Sequence, residues 1–240
     1  MIARPATQAD VASIATMLTA ELHTDPIAEW LVPDAGQRPN VFHRLLAIEI
    51  DHAVERRDVD VLVDMSAVAM WSRSSDDDRS ALADYHLSTA TGRYLPRFQQ
   101  LTSALCSYRS AAPHHWLSWL SVHPDFRRQG LARALLVQHH QVVDELGYPI
   151  SAVVTTEAAR DFLTAHGYHA ALPLHLPSGP VLWPLTRHGR PARRGGTRRP
   201  HDGVSRPDVG CPDQRNSHQA GADDPAHSLP TALTDRSRSS

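Results

Sequence analysis

Trp116–Ala132 reads WLSWLSVHPDFRRQGLA. A short apolar run breaks at His123-Pro124, passes an Arg-Arg-Gln-Gly turn, and enters LARALLVQHHQVVDEL, whose apolar residues recur at helical spacing. A helix start presents unpaired N–H groups and the positive end of the peptide dipoles. Gly130 allows close backbone approach, Ala132 adds little bulk, and Arg127, Arg128 and Arg133 supply counter-charge. The layout suits a pyrophosphate held on backbone amides. From charge and glycine alone, an ordinary strand–turn–helix with a basic corner fits equally well, so the surrounding sequence decides.

Downstream, the helix Leu131–Leu146 leads to a strand, ISAVVTT, a helix Glu157–His166, and a final strand pair, Tyr168–Leu176 with Val181–Leu185, about the Ser178-Gly179 turn. Upstream, IARPAT reads as a short strand. Asp10 is a fitting N-cap for VASIATMLTAEL, in which Val11, Ile14, Ala15, Leu18 and Leu22 share one face. Pro26 opens a short helix to Leu31 that Pro33 stops, and Asn40–Arg57 is a further helix. VDVLVDM and AVAMWS form a hairpin about Asp64–Ser66. The acidic run Asp76–Asp78 starts a helix to about Ala90, another spans Arg93–Ser107, and HHWLSWLSV is the strand before the basic turn. Strands alternating with helices predict an α/β fold with a mixed sheet covered on both faces.

The chain divides near residue 186. Residues 1–186 hold 14 arginines against 20 acidic residues, a balance of −6, with apolar residues dense enough for one core. Residues 187–240 hold 10 arginines against 6 aspartates, +4, with no aromatic and no isoleucine. Such a segment buries too little apolar surface to offset its chain entropy, so one domain, 1–186, and a disordered Arg/Pro/Gly/Asp-rich tail, 187–240, are expected. The absence of lysine reads as coding bias. Cys106 and Cys211 are the only cysteines and make neither a disulfide framework nor a zinc site. With no signal-peptide core and no membrane-length apolar run, a cytoplasmic protein, without a membrane partner, is expected.

The order strand, Arg-x-x-Gly-x-Ala, long helix, strand, helix ending in His166-Gly167-Tyr168, strand pair resembles the GNAT (Gcn5-related) N-acetyltransferases. Their phosphate signature, Gln/Arg-x-x-Gly-x-Gly/Ala, corresponds to Arg127-Arg128-Gln129-Gly130-Leu131-Ala132. Within that family the stretches RPATQADV, DPIAEWLVPD, AVAMW, HHWLSWLSVHPDFRRQGLARALL and LPSGPVLWPLTR are most similar to the actinobacterial group that includes puromycin N-acetyltransferase. The resemblance covers essentially all of 1–186. It implies a GNAT-like, mostly antiparallel central sheet of about seven strands with helices on both faces, and acetyl-CoA, without a metal, in a V-shaped opening between Trp116–Val122 and Ile150–Thr156. Leu120, Ser121 and Val122 would pair with the pantetheine arm and polarise the acetyl carbonyl. Arg127, Arg128, Gln129, Gly130, Leu131, Ala132 and Arg133 would hold the pyrophosphate. On the acceptor side the resemblance places Glu21, Asp25, Trp30 and Trp71.

One part of the family pattern is missing. Its second acyl-CoA motif has an Asn and, four residues later, a Tyr that protonates the leaving thiolate. Counting back from His166-Gly167-Tyr168, those places hold Ala159 and Leu163, while Tyr168 falls on an aromatic packing position. A thiolate is already a fair leaving group, so water can stand in for the acid at some cost in rate. The general base is not evident. His114, His115 and His123 titrate in the right range but read more readily as surface residues, and His139-His140 as a solvated helix face. Trp116 and Trp119, three apart on a strand, are expected on opposite faces.

These readings converge on an N-acetyltransferase that moves an acetyl group directly to a primary amine of a small molecule, as a monomer or homodimer. The alternative is a catalytically weak or inactive acyl-CoA-binding sensor. Nucleic-acid binding by the tail is disfavoured, because its aspartates are interspersed and it offers no aromatic for base stacking.

Overall fold

The computed structural model describes residues 3–62, 64–73, 81–106, 108 and 112–189. The expected helix start at Asp76–Asp78, Cys211 and nearly all of the C-terminal tail lie outside them. Eight strands form the sheet: β1 (Ala3–Pro5), β2 (Val59–Leu62), β3 (Ala67–Arg73), β4 (His115–Val122), β5 (Ile150–Val154), β6 (His169–Ala170), β7 (Leu174–His175) and β8 (Val181–Arg187). Their order is β1-β2-β3-β4-β5-β8-β6, with β7 also on β8, and only β4–β5 is parallel. This is the mixed, mostly antiparallel sheet that the resemblance implies, with eight strands where about seven are expected. Pro173 interrupts the strand expected over Tyr168–Leu176, leaving β6 and β7 as two short pieces on β8.

Helices α1 (Val11–Leu22), α2 (Pro26–Leu31), α3 (Arg38–Glu55), α4 (Ala81–Thr91) and α5 (Leu95–Cys106) cover one face. There Ile14, Leu18, Phe42, Ile50 and Phe98 pack with Val61, Val68 and Met70 of the sheet. Helices α6 (Leu131–Leu146) and α7 (Glu157–Ala165) cover the other, where Leu135, Leu136, Val143 and Leu163 meet Ala69, Trp71, Ala152 and Val154. Asp10 does not cap α1 as expected. Its carboxylate accepts from Thr7 and takes two bonds from Arg4, at 2.7 and 2.9 Å, so Thr7 caps a 3-10 turn that runs into the helix. Two cationic N–H donors outweigh one helical amide.

Trp116 and Trp119 occupy the same face, both buried with the α1–α5 cluster, while Leu117 and Leu120 join the α6–α7 cluster. The expected opposite placement fails because β4 carries a bulge. Leu117 pairs with Trp71 and Trp119 with Met70, leaving Ser118 as an extra residue. One inserted residue advances the side-chain alternation by one, so positions three apart share a face.

Candidate functional site

The bulge also re-aims the backbone. His115 N donates to Pro149 O, toward β5, whereas His123 N donates to Ser66 O, toward the β2–β3 connection. Residues eight apart on a regular strand would point to the same edge; the extra Ser118 reverses the phase. Beyond it, Leu120 and Val122 turn their N–H and C=O groups away from β3, and Ser121 turns its own toward β3. On that far side β4 has lost its neighbour. It pairs with β5 only at His115↔Ile150 and Trp116↔Ser151, while β5 continues with β8 as far as Val154↔Trp183. The result is a cleft with one hydrogen-bonding wall, the template that an extended, amide-bearing ligand needs.

Above this wall the chain makes a 3-10 turn, Pro124–Phe126, and then the basic turn. Arg128 and Gly130 both adopt positive φ, 63° and 79°. A Cβ at Gly130 would meet nothing within 4 Å, so glycine is there for its left-handed backbone and the open space before it. Gly130 provides no side-chain cap for α6, and the first helical bond is Ala134 N to Gly130 O at 3.0 Å. The amides of Leu131, Ala132 and Arg133 therefore have no partner within the helix, and Arg128, Gln129 and Arg133 stand exposed around them. Uncapped amides, a bare glycine and exposed guanidinium groups fit the pyrophosphate of acyl-CoA.

Arg127 has a different place. Its Nε donates to Val122 O at 3.2 Å and its Nη2 to Glu21 Oε1 at 2.9 Å, tying the end of β4 to α1. Glu21 and Arg127 form part of the lining of a groove of about 850 Å³, with Thr16, Met17, Met65 and His123. Asp25 is 1% exposed. Its Oδ1 accepts from Ile27 N (2.9 Å) and Ala28 N, capping α2, and its Oδ2 accepts from Thr155 Oγ1 at 3.0 Å. Burial pushes its carboxyl above the ordinary range, against these hydrogen bonds.

Trp30 and Trp71 are not brought together. Trp30 lies in the α1–α5 cluster beneath the β7–β8 turn, its carbonyl held by Arg97, whose guanidinium lies 5.8 Å from its ring. A side chain at Gly179 would come within 2.8 Å of the Trp30 indole nitrogen, which keeps that turn bare. Trp71 lies in the α6–α7 cluster, stacked on His139 with ring centroids 3.6 Å apart and planes at 2°. This is core packing on the α6–α7 face of the sheet, the opposite face from Trp30. The stack also corrects the reading of His139-His140 as a solvated face: His139 bonds His115 (3.1 Å) and His140 bonds the Tyr168 hydroxyl (3.1 Å). Ala159 and Leu163 are fully buried, so neither offers a proton to the cleft. Nothing in VVTTE marks Thr155 over its neighbour, and its partner lies 130 residues away. Among the described residues no cluster of three or more His, Cys, Asp or Glu could hold a metal, and no helix is long and apolar enough to cross a membrane.

Residues 99–170 match the family model of the acetyltransferase (GNAT) domain, a stretch that includes β4, the basic turn, α6, β5 and α7. The fold is similar to that of histone acetyltransferase HPA2 and related acetyltransferase from Corynebacterium glutamicum, at 20% identity and TM-score 0.57 over 78% of this chain and 95% of that one. Arylalkylamine N-acetyltransferase 2 from Aedes aegypti has TM-score 0.58 at 12% identity, over 78% of this chain and 98% of the other. A polyamine N-acetyltransferase of Drosophila melanogaster that forms N-acetylagmatine has TM-score 0.53 at 16% identity, over 78% and 99%.

Proposed function

We propose that the protein transfers an acetyl group from acetyl-CoA directly to a primary amine of a small molecule. The observation that carries this reading is the open edge of β4 followed directly in the chain by the left-handed turn at the start of α6. Leu120 and Val122 would pair with the pantetheine arm, and an N–H on that edge would polarise the thioester carbonyl. The amides of Leu131, Ala132 and Arg133 would hold the pyrophosphate, flanked by Arg128 and Gln129, while Arg127 sets the turn through Val122 and Glu21. Asp25 and Trp30 lie on the acceptor side. The resemblance to the puromycin N-acetyltransferase group favours an aminonucleoside or amino-acid-like amine.

Calorimetry with acetyl-CoA, followed by a thiol-release assay over an amine panel that includes puromycin, tests this reading. Binding with a Kd between about 1 μM and about 1 mM, the usual range for enzyme substrates, and release of CoA with at least one amine are expected. Leu163 gives a second reading its one support: an apolar side chain buried where the family places a proton donor. Binding without release for any amine would favour that sensor and overturn the enzyme.

A further inference from the structure

Resting on the acetyl-transfer reading, we propose that Thr155 and Asp25 form its proton relay. Thr155 Oγ1 takes a proton from the acceptor's ammonium group while its own hydroxyl proton passes to Asp25 Oδ2. The argument is one of placement. Counting along the parallel pair from His115↔Ile150, and allowing for the extra Ser118, Ser121 of β4 stands level with Thr155, across the gap where the strands no longer pair. Val153 belongs to the α1–α5 face and Val154 to the other, so Thr155 returns to the α1–α5 face, as its bond to Asp25 requires. Leu120 faces α6, so Ser121 also faces α1–α5. Two hydroxyls thus flank the cleft on the side away from the phosphate turn, the side from which an amine can reach a thioester bound through that turn.

Two further observations point the same way. The Ser121 hydroxyl is buried and has no hydrogen-bond partner in the protein, so a polar group entering the cleft would supply one. The Asp25 carboxylate is bonded to two amides and one hydroxyl, and the charge acting on it is that of Glu29, one turn along α2, whose own carboxylate lies 3.6 Å from Arg38 Nη1. Burial and the Glu29 charge both raise its proton affinity, which suits an acceptor of protons near neutral pH.

The step balances as follows. The ammonium group loses one proton through Thr155 to Asp25, leaving a neutral amine and a carboxylic acid. The amine nitrogen bonds to the thioester carbon, the C–S bond breaks with its electron pair on sulfur, and the second nitrogen proton goes to the thiolate. The products are the amide and CoA-SH, and Asp25 returns its proton to solvent.

Asp25→Asn separates this role from capping, because Asn caps a helix as well as Asp does. D25N is expected to keep the wild-type melting temperature and acetyl-CoA Kd, to lose about 100-fold or more in kcat/KM for the amine, and to show a rate that climbs with pH where the wild type levels off. Thr155→Val should behave alike and Thr155→Ser should restore the rate. Infrared pH titration of the protein without substrates should show a carboxyl band, absent in D25N, that titrates above the ordinary aspartate range. If folded D25N turned over at wild-type rate with an unchanged pH profile, the relay would be wrong while acetyl transfer stood. A wild-type protein releasing no CoA with any amine would overturn both.

Discussion

At His115 and Trp116 the strands β4 and β5 are hydrogen-bonded, and their α6 side is filled with rings: His115 against Tyr148, His139 against Trp71. Beyond Ser118 the same two strands no longer pair, and the α6 side carries the bare, basic turn. Along β4 itself both ends are built mostly from apolar residues, so the strand's own polarity does not explain where it opens. One inserted residue does. Ser118 reverses which backbone groups face β5, so that β4 can stay bonded to β3 while leaving β5. The closed end fixes the strands, and the open end is free to bind because the closed end needs no help from it.

Deleting Ser118 breaks this comparison most severely. Without the extra residue, Trp119 through Val122 turn to the opposite faces, driving Trp119 toward α6 and Leu120 toward α3. The expected outcome is loss of the cooperative fold, a penalty on the order of the whole 5–15 kcal/mol that stabilises a domain. Circular dichroism melting checks it, and a sharp wild-type transition in the deletion would refute the role given to the bulge.

Much of this was legible in the sequence, and the bulge nearly so. Apolar periodicity, the Asp25-Pro26 start of α2 and the glycine before α6 all act through neighbours in the chain, and the helices begin close to where these local signals put them. WLSWLS repeats every three residues, a period that an alternating strand cannot hold on fixed faces. The repeat therefore fits a strand with one extra residue, which the regular alternation expected of Trp116 and Trp119 leaves out. His139 and Thr155 are a different matter. Their partners, Trp71 and Asp25, lie 68 and 130 positions away, so their burial is decided by the sheet and by no nearby residue.

Gly130→Val and His139→Ala sharpen the comparison by acting on opposite ends. At φ of 79° a β-branched residue is strained, and its branches would stand in the open space before the helix start. Acetyl-CoA binding is expected to weaken at least about 100-fold, some 2.7 kcal/mol, while the backbone strain takes about 1–2 kcal/mol from stability. His139→Ala should act on stability alone. Emptying the stack on Trp71 is expected to cost about 1–3 kcal/mol of stability and leave the acetyl-CoA Kd unchanged. If His139→Ala weakened acetyl-CoA binding as well, the two ends would be one cooperative unit.

The two ends of β4 also answer differently to pH. At the closed end burial, with the charges of His115, His140 and Arg73, pushes His139 down to about 3, and burial with Arg187 pushes His140 down to about 4. Below pH 6.5 the unfolded chain takes up protons that these folded imidazoles refuse, so stability falls as pH drops toward 4. Near the open end Glu49 stands on α3 beside Trp119. Burial of its carboxyl group pushes it up to about 8. Between pH 4.5 and 8 the folded carboxyl keeps a proton that the unfolded chain gives up, so this group destabilises the fold as pH rises. The two slopes oppose each other, which predicts a narrow optimum in melting temperature. Glu49→Gln should flatten the fall above the optimum and leave the acid side untouched, whereas His139→Phe should flatten the acid side alone. Melting curves from pH 4 to 9 read both, and an E49Q protein that still lost stability toward pH 8 as the wild type does would remove Glu49 from the account.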